Sequence, residues 1–324
     1  MGNQIRDAEE ILRESSLADI VSVAFRAHII IPAFNIPYLP MVRPAISALK
    51  AAASFGLIEV ALPDIRSFDA QSFGAVQEEF RKHADTAYMR LHQDHVPVID
   101  ENGELVDWKS MIREAIDLGF DSVMIDGSRL GLKENIEATR MAVEMAHPKG
   151  ILVEGELGAV LGHEKGPLPP YEELFSSGKG FTDPQEAREF VKETGVDWLS
   201  VAIGNIHGAI SGAAKERKKP DARLNIEHLR KIVSATSVPI VLHGGSGIRK
   251  ESITAGIKNG VTKINIGTAL RQKYEQGLRL KGQVSFAQEL VREEVREMIT
   301  DYFDIRGSAL KLASLLSHSS YSCV

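Results

Sequence analysis

The 324-residue sequence has a single cysteine, Cys323, next to its end. A lone thiol excludes an intrachain disulfide and a cysteine-built structural zinc site, and it fits a reducing compartment. No run approaches the ~18 apolar residues that a membrane helix needs, and Met1 to Glu10 lack the apolar core of a signal peptide. The chain is therefore expected to be cytoplasmic, neither exported nor bound to a membrane. Gly2 invites a myristoylation reading, but Arg6 stands where that motif requires Ser or Thr. Positive charge is also short: 38 Lys and Arg face 44 Asp and Glu, a net charge of −6, which argues against nucleic acid as a partner. What is present, 44% hydrophobic and 25% charged residues, suits a globular protein able to bury a large core.

Eight apolar runs end in polar or glycine-rich residues: 28–35, 58–63, 88–95, 122–128, 151–158, 198–207, 239–245 and 263–268. Between them lie stretches with helical spacing, 41–56, 109–118, 133–146, 184–194, 226–235 and 248–259. Strand and helix repeated eight times predict an α/β fold, a TIM (β/α)8 barrel, because parallel strands require crossovers and eight of them close the sheet. A sandwich would show short turns, and a doubly wound sheet usually stops at five or six strands. One domain is expected over residues 1–313, with a C-terminal helical extension at 287–303. Residues 314–324, rich in serine, are expected to form a disordered tail.

A barrel gathers functional residues at the carboxyl ends of its strands. The corresponding positions here are Asn35, Asp94, His95, Asp126, Ser128, Glu154, Glu156, His207, His243, Ser246, Asn265 and Thr268. Polar groups are costly to bury without partners, so a dozen at one rim are hard to explain as core filling. His95, His207 and His243 end the third, sixth and seventh runs. Three converging imidazoles match a catalytic zinc site with an open position for substrate oxygens. Taken singly, each is more often a core or surface histidine, as His28, His83, His147, His163, His228 and His318 are read here. His92, three residues before His95, is expected to face the opposite side of its strand. Asp94 is suited to proton transfer beside a divalent cation, or alternatively to orienting a ligand. Glu156 is a candidate further ligand with Glu154 as its support. Gly244-Gly-Ser-Gly247 and Asn265-Ile-Gly-Thr268, after the last two strands, stand where barrels commonly bind phosphate.

Read together, Pro32-Ala-Phe-Asn35, His92-Gln-Asp-His95, Gly119 to Ser128, Val153-Glu-Gly-Glu-Leu-Gly158, Gly204-Asn-Ile-His-Gly208, Leu242-His-Gly-Gly-Ser-Gly247 and Lys263-Ile-Asn-Ile-Gly-Thr268 form an ordered set. The chain thereby resembles the class II, metal-dependent ketose-bisphosphate aldolases, the fructose-bisphosphate and tagatose-bisphosphate aldolase family, over Ile29 to Arg271. The resemblance implies a reversible, zinc-dependent aldol cleavage of a ketose (bis)phosphate to dihydroxyacetone phosphate and an aldehyde, through a metal-stabilised enediolate. It implies zinc held by His95, His207 and His243, with Glu156 in a second position. Asp94 would exchange a proton at the aldol oxygen and Glu164 at the ketose carbon. Gly208, Gly244, Ser246, Asn265 and Thr268 would cradle the dihydroxyacetone phosphate moiety, with Asn35 and Gly267 as further substrate contacts. A potassium or sodium ion near Gly208 and Gly244, and a homodimer or homotetramer, are also implied.

Departures fall at the aldehyde end. Gly267 stands where fructose-bisphosphate aldolases commonly carry Asp, a position that tagatose-type members fill with a small residue. Asp64 to Gly74 does not match the family's serine and glycine loop, and no Asp-Pro-Arg follows the last strand, where Gly282 to Phe286 lie. The loop after strand six is basic, with Lys215, Arg217, Lys218 and Lys219. Either Arg66 or one of these lysines contacts a distal anion, or the substrate is a ketose 1-phosphate lacking the second phosphate. Charge runs are usually solvated faces, which favours the latter. Two other classes compete. A metal-dependent hydrolase usually shows His-x-His on its first strand, where this chain has Phe34-Asn35; a non-catalytic sugar-phosphate binder would not need Glu164.

Overall fold

The structure, a computed structural model, describes residues 2–158, 160, 170–206 and 222–319. Among them, eight parallel strands close into a barrel in sequence order: β1 (Ile31–Asn35), β2 (Gly56–Ala61), β3 (Met89–Pro97), β4 (Ser122–Asp126), β5 (Leu152–Leu157), β6 (Trp198–Val201), β7 (Ile240–Leu242) and β8 (Val261–Ile266). The last strand pairs with the first, Ala33 opposite Asn265, and this seam closes the cylinder. Parallel strands covered on both faces lose the apolar and polar alternation of a surface sheet. Val123, Met124 and Ile125 of β4 are accordingly all buried.

The surrounding helices follow local rules. Trp108–Leu118 shows them together: the Asp107 side chain accepts from the Ser110 N–H at 3.3 Å, Trp108, Ile112 and Ala115 face the core, and Gly119 ends the helix with a left-handed φ of 77°. Residues 287–303 belong to a longer helix, Val284–Glu297, continued by a π-helical turn, Met298–Tyr302. Its Ala287, Val291, Val295 and Ile299, four residues apart, form a buried stripe. Ala287 meets Gly277 of the helix Thr268–Lys281.

Two expected boundaries need correction. The disordered tail does not begin at Ser314, because a helix, Ser308–Ser319, runs through that point and packs against the helices Gly2–Glu14 and Leu17–Arg26. Leu312, Ala313 and Leu316 are buried there, and their apolar spacing outweighs the serine content. Residues 320–324, with Cys323, lie outside the described residues. The eighth strand begins at Val261, two residues early, which places Lys263 inside the strand rather than at its edge. No described helix is long and apolar enough to cross a membrane.

The contact at Gly277 yields a stability test. Alanine is favoured over glycine within a helix by about 1 kcal/mol, but a Cβ here would lie 2.4 Å from the Ala287 Cα. Overpacking of this kind costs about 1–3 kcal/mol. Gly277→Ala should therefore lower the midpoint of chemical denaturation; a raised midpoint would mean that the two helices separate freely.

Candidate active site

The site is built around an irregularity in β3. His92 and Asp94 share one face of this strand and both are buried. Regular alternation would send His95 outward, but His95 adopts a left-handed φ of 37°, and the pairing of β3 with β4 shifts register between Gln93 and Val96. This bulge turns the His95 ring back to the barrel mouth. The expectation that His92 and His95 face opposite ways is thus corrected: both rings reach the interior, His92 deeper, with its Nδ1 2.7 Å from Ser122 Oγ.

Asp94 is gripped from both sides by carboxamides. Asn35 Nδ2, at the end of β1, donates to Oδ2 at 2.9 Å, and Asn265 Nδ2, on β8, donates to Oδ1 at 2.9 Å. Burial opposes the Asp94 charge, but the imidazoles of His95 and His243 and the Lys263 ammonium outweigh it and draw its carboxyl down to about 2.

His95 Nε2 and His243 Nδ1 face each other at 2.6 Å, their rings nearly perpendicular. Carboxylates surround the pair. Asp126 Oδ2 lies 3.7 Å from His95 Nδ1, and Glu156 Oε2 lies 3.6 Å from His243 Nδ1. Burial works against a charged His95, yet Asp94, Asp126 and Glu156 lift it to about 10, while burial and the neighbouring His95 hold His243 below its ordinary value. Glu156 itself is pushed well above the carboxylate range by burial and by Asp126. Ser128 secures Asp126, donating through both N–H and hydroxyl to Oδ1 at 2.9 and 2.6 Å.

Glu154 was expected to support Glu156; instead its oxygens turn to His243 Nε2 and Lys263 Nζ, both at 2.8 Å. The intervening Gly155 and the pleat leave Glu154 one layer deeper in the barrel. Sequence reasoning missed Lys263 and its second partner, Glu59, at 3.3 Å. Their signal was an ionisable side chain inside each of two strands that are fully buried and carry no other charge. Asn205, another residue not singled out, donates through Nδ2 to the Val201 and His243 carbonyls at 3.1 and 3.2 Å, tying the end of β6 to the end of β7.

Past β7, Gly244 takes a left-handed φ of 72° at the start of a short turn, Gly245–Gly247. The helix Thr268–Lys281 begins directly after β8 without a side-chain cap, and its Ala269 N–H points to Ser246 Oγ at 3.4 Å. A Cβ on Gly267 would lie 3.2 Å from Asn35 Oδ1, so this position is small where it touches Asn35. Arg66 is half exposed and pairs with Asp100 at 3.3 Å. His207, Gly208, Glu164 and the basic residues Lys215, Arg217, Lys218 and Lys219 lie outside the described residues.

The profile of the class-II fructose-bisphosphate aldolase family matches residues 15–311. The chain belongs to this family. It is 31% identical over 267 residues to a fructose-bisphosphate aldolase of Geobacillus stearothermophilus, covering 82% of this chain and 84% of the relative. Its match to the fructose-bisphosphate aldolase of Staphylococcus epidermidis is 40% identical over 156 residues, 48% of this chain, and spans about half of that relative's length, 49%. Among solved structures, the YdjI aldolase of Escherichia coli K12 superposes with a TM-score of 0.71 at 29% identity, covering 91% of this chain and 99% of the other.

Members of the class II aldolase family generally depend on a metal, and the residues here fit one. Ligand atoms of Asp94, His95 and His243 lie within 4.8 Å of one another, as do those of His95, Asp126 and Glu156. The crowding of carboxylates that holds a proton on His95 equally favours a divalent cation, and the mixed nitrogen and oxygen donor set suits zinc. His95→Ala and His243→Ala should each lower the zinc retained after dialysis at least tenfold, measured by elemental analysis. Retention at the wild-type level in both would remove these histidines from the ligand set.

Proposed function

We propose that the chain is a zinc-dependent aldolase that reversibly cleaves a ketose phosphate to dihydroxyacetone phosphate and an aldehyde. The observation that carries this reading is the convergence of His95 and His243 on Asp94, whose oxygens are both held by carboxamides. His95, His243 and His207 would hold the metal, with Glu156 as an alternative ligand; a potassium or sodium ion near Gly208 and Gly244 is part of the same reading. A bound divalent cation would polarise the ketose oxygens and lower the cost of the negative charge left beside the carbonyl when the carbon–carbon bond parts.

The remaining work falls to the protein. Asp94, drawn down to about 2 and so ionised at neutral pH, accepts the proton of the hydroxyl that becomes the aldehyde oxygen. Asn35 and Asn265 aim it, because each occupies one lone pair of its carboxylate. Glu164 returns a proton to the ketose carbon, which completes dihydroxyacetone phosphate. The substrate phosphate rests at Gly244 to Ser246 and at the start of the helix Thr268–Lys281, with Asn265, Gly267 and Thr268 beside it. Anions are favoured at such a helix terminus, and a fixed phosphate converts remote binding energy into alignment.

A ketose 1-phosphate without a distal phosphate is the favoured substrate: of the candidate distal contacts, Arg66 is paired with Asp100, and the lysines after strand six belong to a charge run, which is usually a solvated face. Retro-aldol assays with fructose 1,6-bisphosphate, tagatose 1,6-bisphosphate and ketose 1-phosphates should show no advantage for the bisphosphates. A kcat/KM at least tenfold higher for either bisphosphate would overturn this preference. Activity should vanish on chelation and return with zinc. Asp94→Ala should keep its zinc and lose about 100- to 10,000-fold in kcat; loss of zinc together with activity would make Asp94 a metal-site residue instead.

A further inference from the structure

Lys263 lies in the middle of β8 with its ammonium sealed inside the barrel, 2.8 Å from Glu154 Oε2 and 3.3 Å from Glu59 Oε2. An ion pair so placed contributes little net stability, since desolvation consumes most of the attraction and apolar side chains can fill such space as well. Its geometry points elsewhere. Glu154 reaches Lys263 with one oxygen and His243 Nε2 with the other, also at 2.8 Å. A carboxylate is an acceptor only, so His243 donates through Nε2 and presents the Nδ1 lone pair toward His95 and Glu156.

We propose that Lys263 is a positioning residue of the metal site: braced by Glu59, it clamps Glu154, and the clamped carboxylate fixes the ring orientation and tautomer of His243. The inference rests on the reading of His95 and His243 as metal ligands. A competing partner explains why a clamp is needed. His92 Nε2, fully buried and without a hydrogen-bond acceptor, lies 3.5 Å from the same Glu154 Oε2 that Lys263 holds. Without the ammonium, Glu154 is free to turn toward His92, and His243 loses the acceptor that selects its Nε2–H form. Asn265 Nδ2, 3.3 Å from His243 Nε2, is a donor and cannot replace that acceptor.

The tautomer of His243 can be read from nitrogen-15 spectra of histidine-labelled full-length protein, as isolated and after metal removal, with the resonance assigned by its loss in His243→Gln. The Nε2–H form is expected in both states. The double variant Lys263→Met with Glu59→Gln removes the ammonium together with the carboxylate that its loss would strand. In this variant the tautomer preference should weaken, and zinc affinity, measured by competition with a chromophoric chelator, should fall about 10- to 100-fold. A Nδ1–H form in the wild type overturns the clamp and requires no variant to fold. So does a folded double variant whose zinc affinity stays within about twofold of wild type. Wild-type protein that binds no zinc would sink the metal-site reading instead, while the tautomer of the metal-free chain would still judge the clamp.

Discussion

Carboxylates enclosed in a barrel must be answered by positive charge, because water is not there to screen them. This chain meets that constraint in two layers. At the mouth, Asp94, Asp126 and Glu156 surround the imidazoles of His95 and His243; deeper, Glu59 and Glu154 surround Lys263. Glu154 belongs to both layers, since one oxygen faces His243 and the other faces the lysine. The lower layer is sealed from solvent, and burial together with Asp94 above it pushes the Glu59 carboxyl well above its ordinary range. The two layers are therefore coupled, through Glu154 and through Asp94 acting on Glu59.

Barrel closure supplies the second half of the arrangement. Asn35 and Asn265 sit on the first and last strands, which are far apart in sequence and become neighbours only when the sheet closes. Both reach Asp94 on the third strand. A carboxylate oriented by groups across the closing seam keeps its geometry only in the finished barrel. Asn205 plays a comparable part between β6 and β7, where it holds together the strand ends that lead to His207 and carry His243.

The barrel was legible because each strand is an apolar run with a polar end, and each helix repeats at the expected spacing between them. His95, His243, Asp94, Asn35 and Asn265 were legible because they end such runs, and the structure brings all of them to one mouth. The misses share a physical cause. Lys263 opens its run, where a charged side chain looks like a boundary with water, and Glu59 lies second in the run 58–63, where nothing in the spacing marks its partner; only the three-dimensional pairing brings the two together. Glu154 was assigned to its near neighbour in sequence, although pleating directs it toward β7 and β8. His92 was turned outward by counting residues from His95, a count that fails across a bulge. The serines of the final segment suggested disorder, but Leu312 and Leu316 decide its fate by packing.

The bulge at His95 also divides β3 into two stretches with different tolerance for change in length. Upstream of it the alternation of side chains is locked to the barrel interior; downstream the phase is reset, so Val96 is buried among apolar groups rather than aimed at the mouth. Loss of the one extra residue at this point would restore a regular strand and leave the downstream pairing in phase. The mouth would lose an imidazole, and no other side chain would turn in to replace it. Insertions and deletions in this lineage should therefore accumulate in the connections around β3 and spare the short stretch from His92 to Val96.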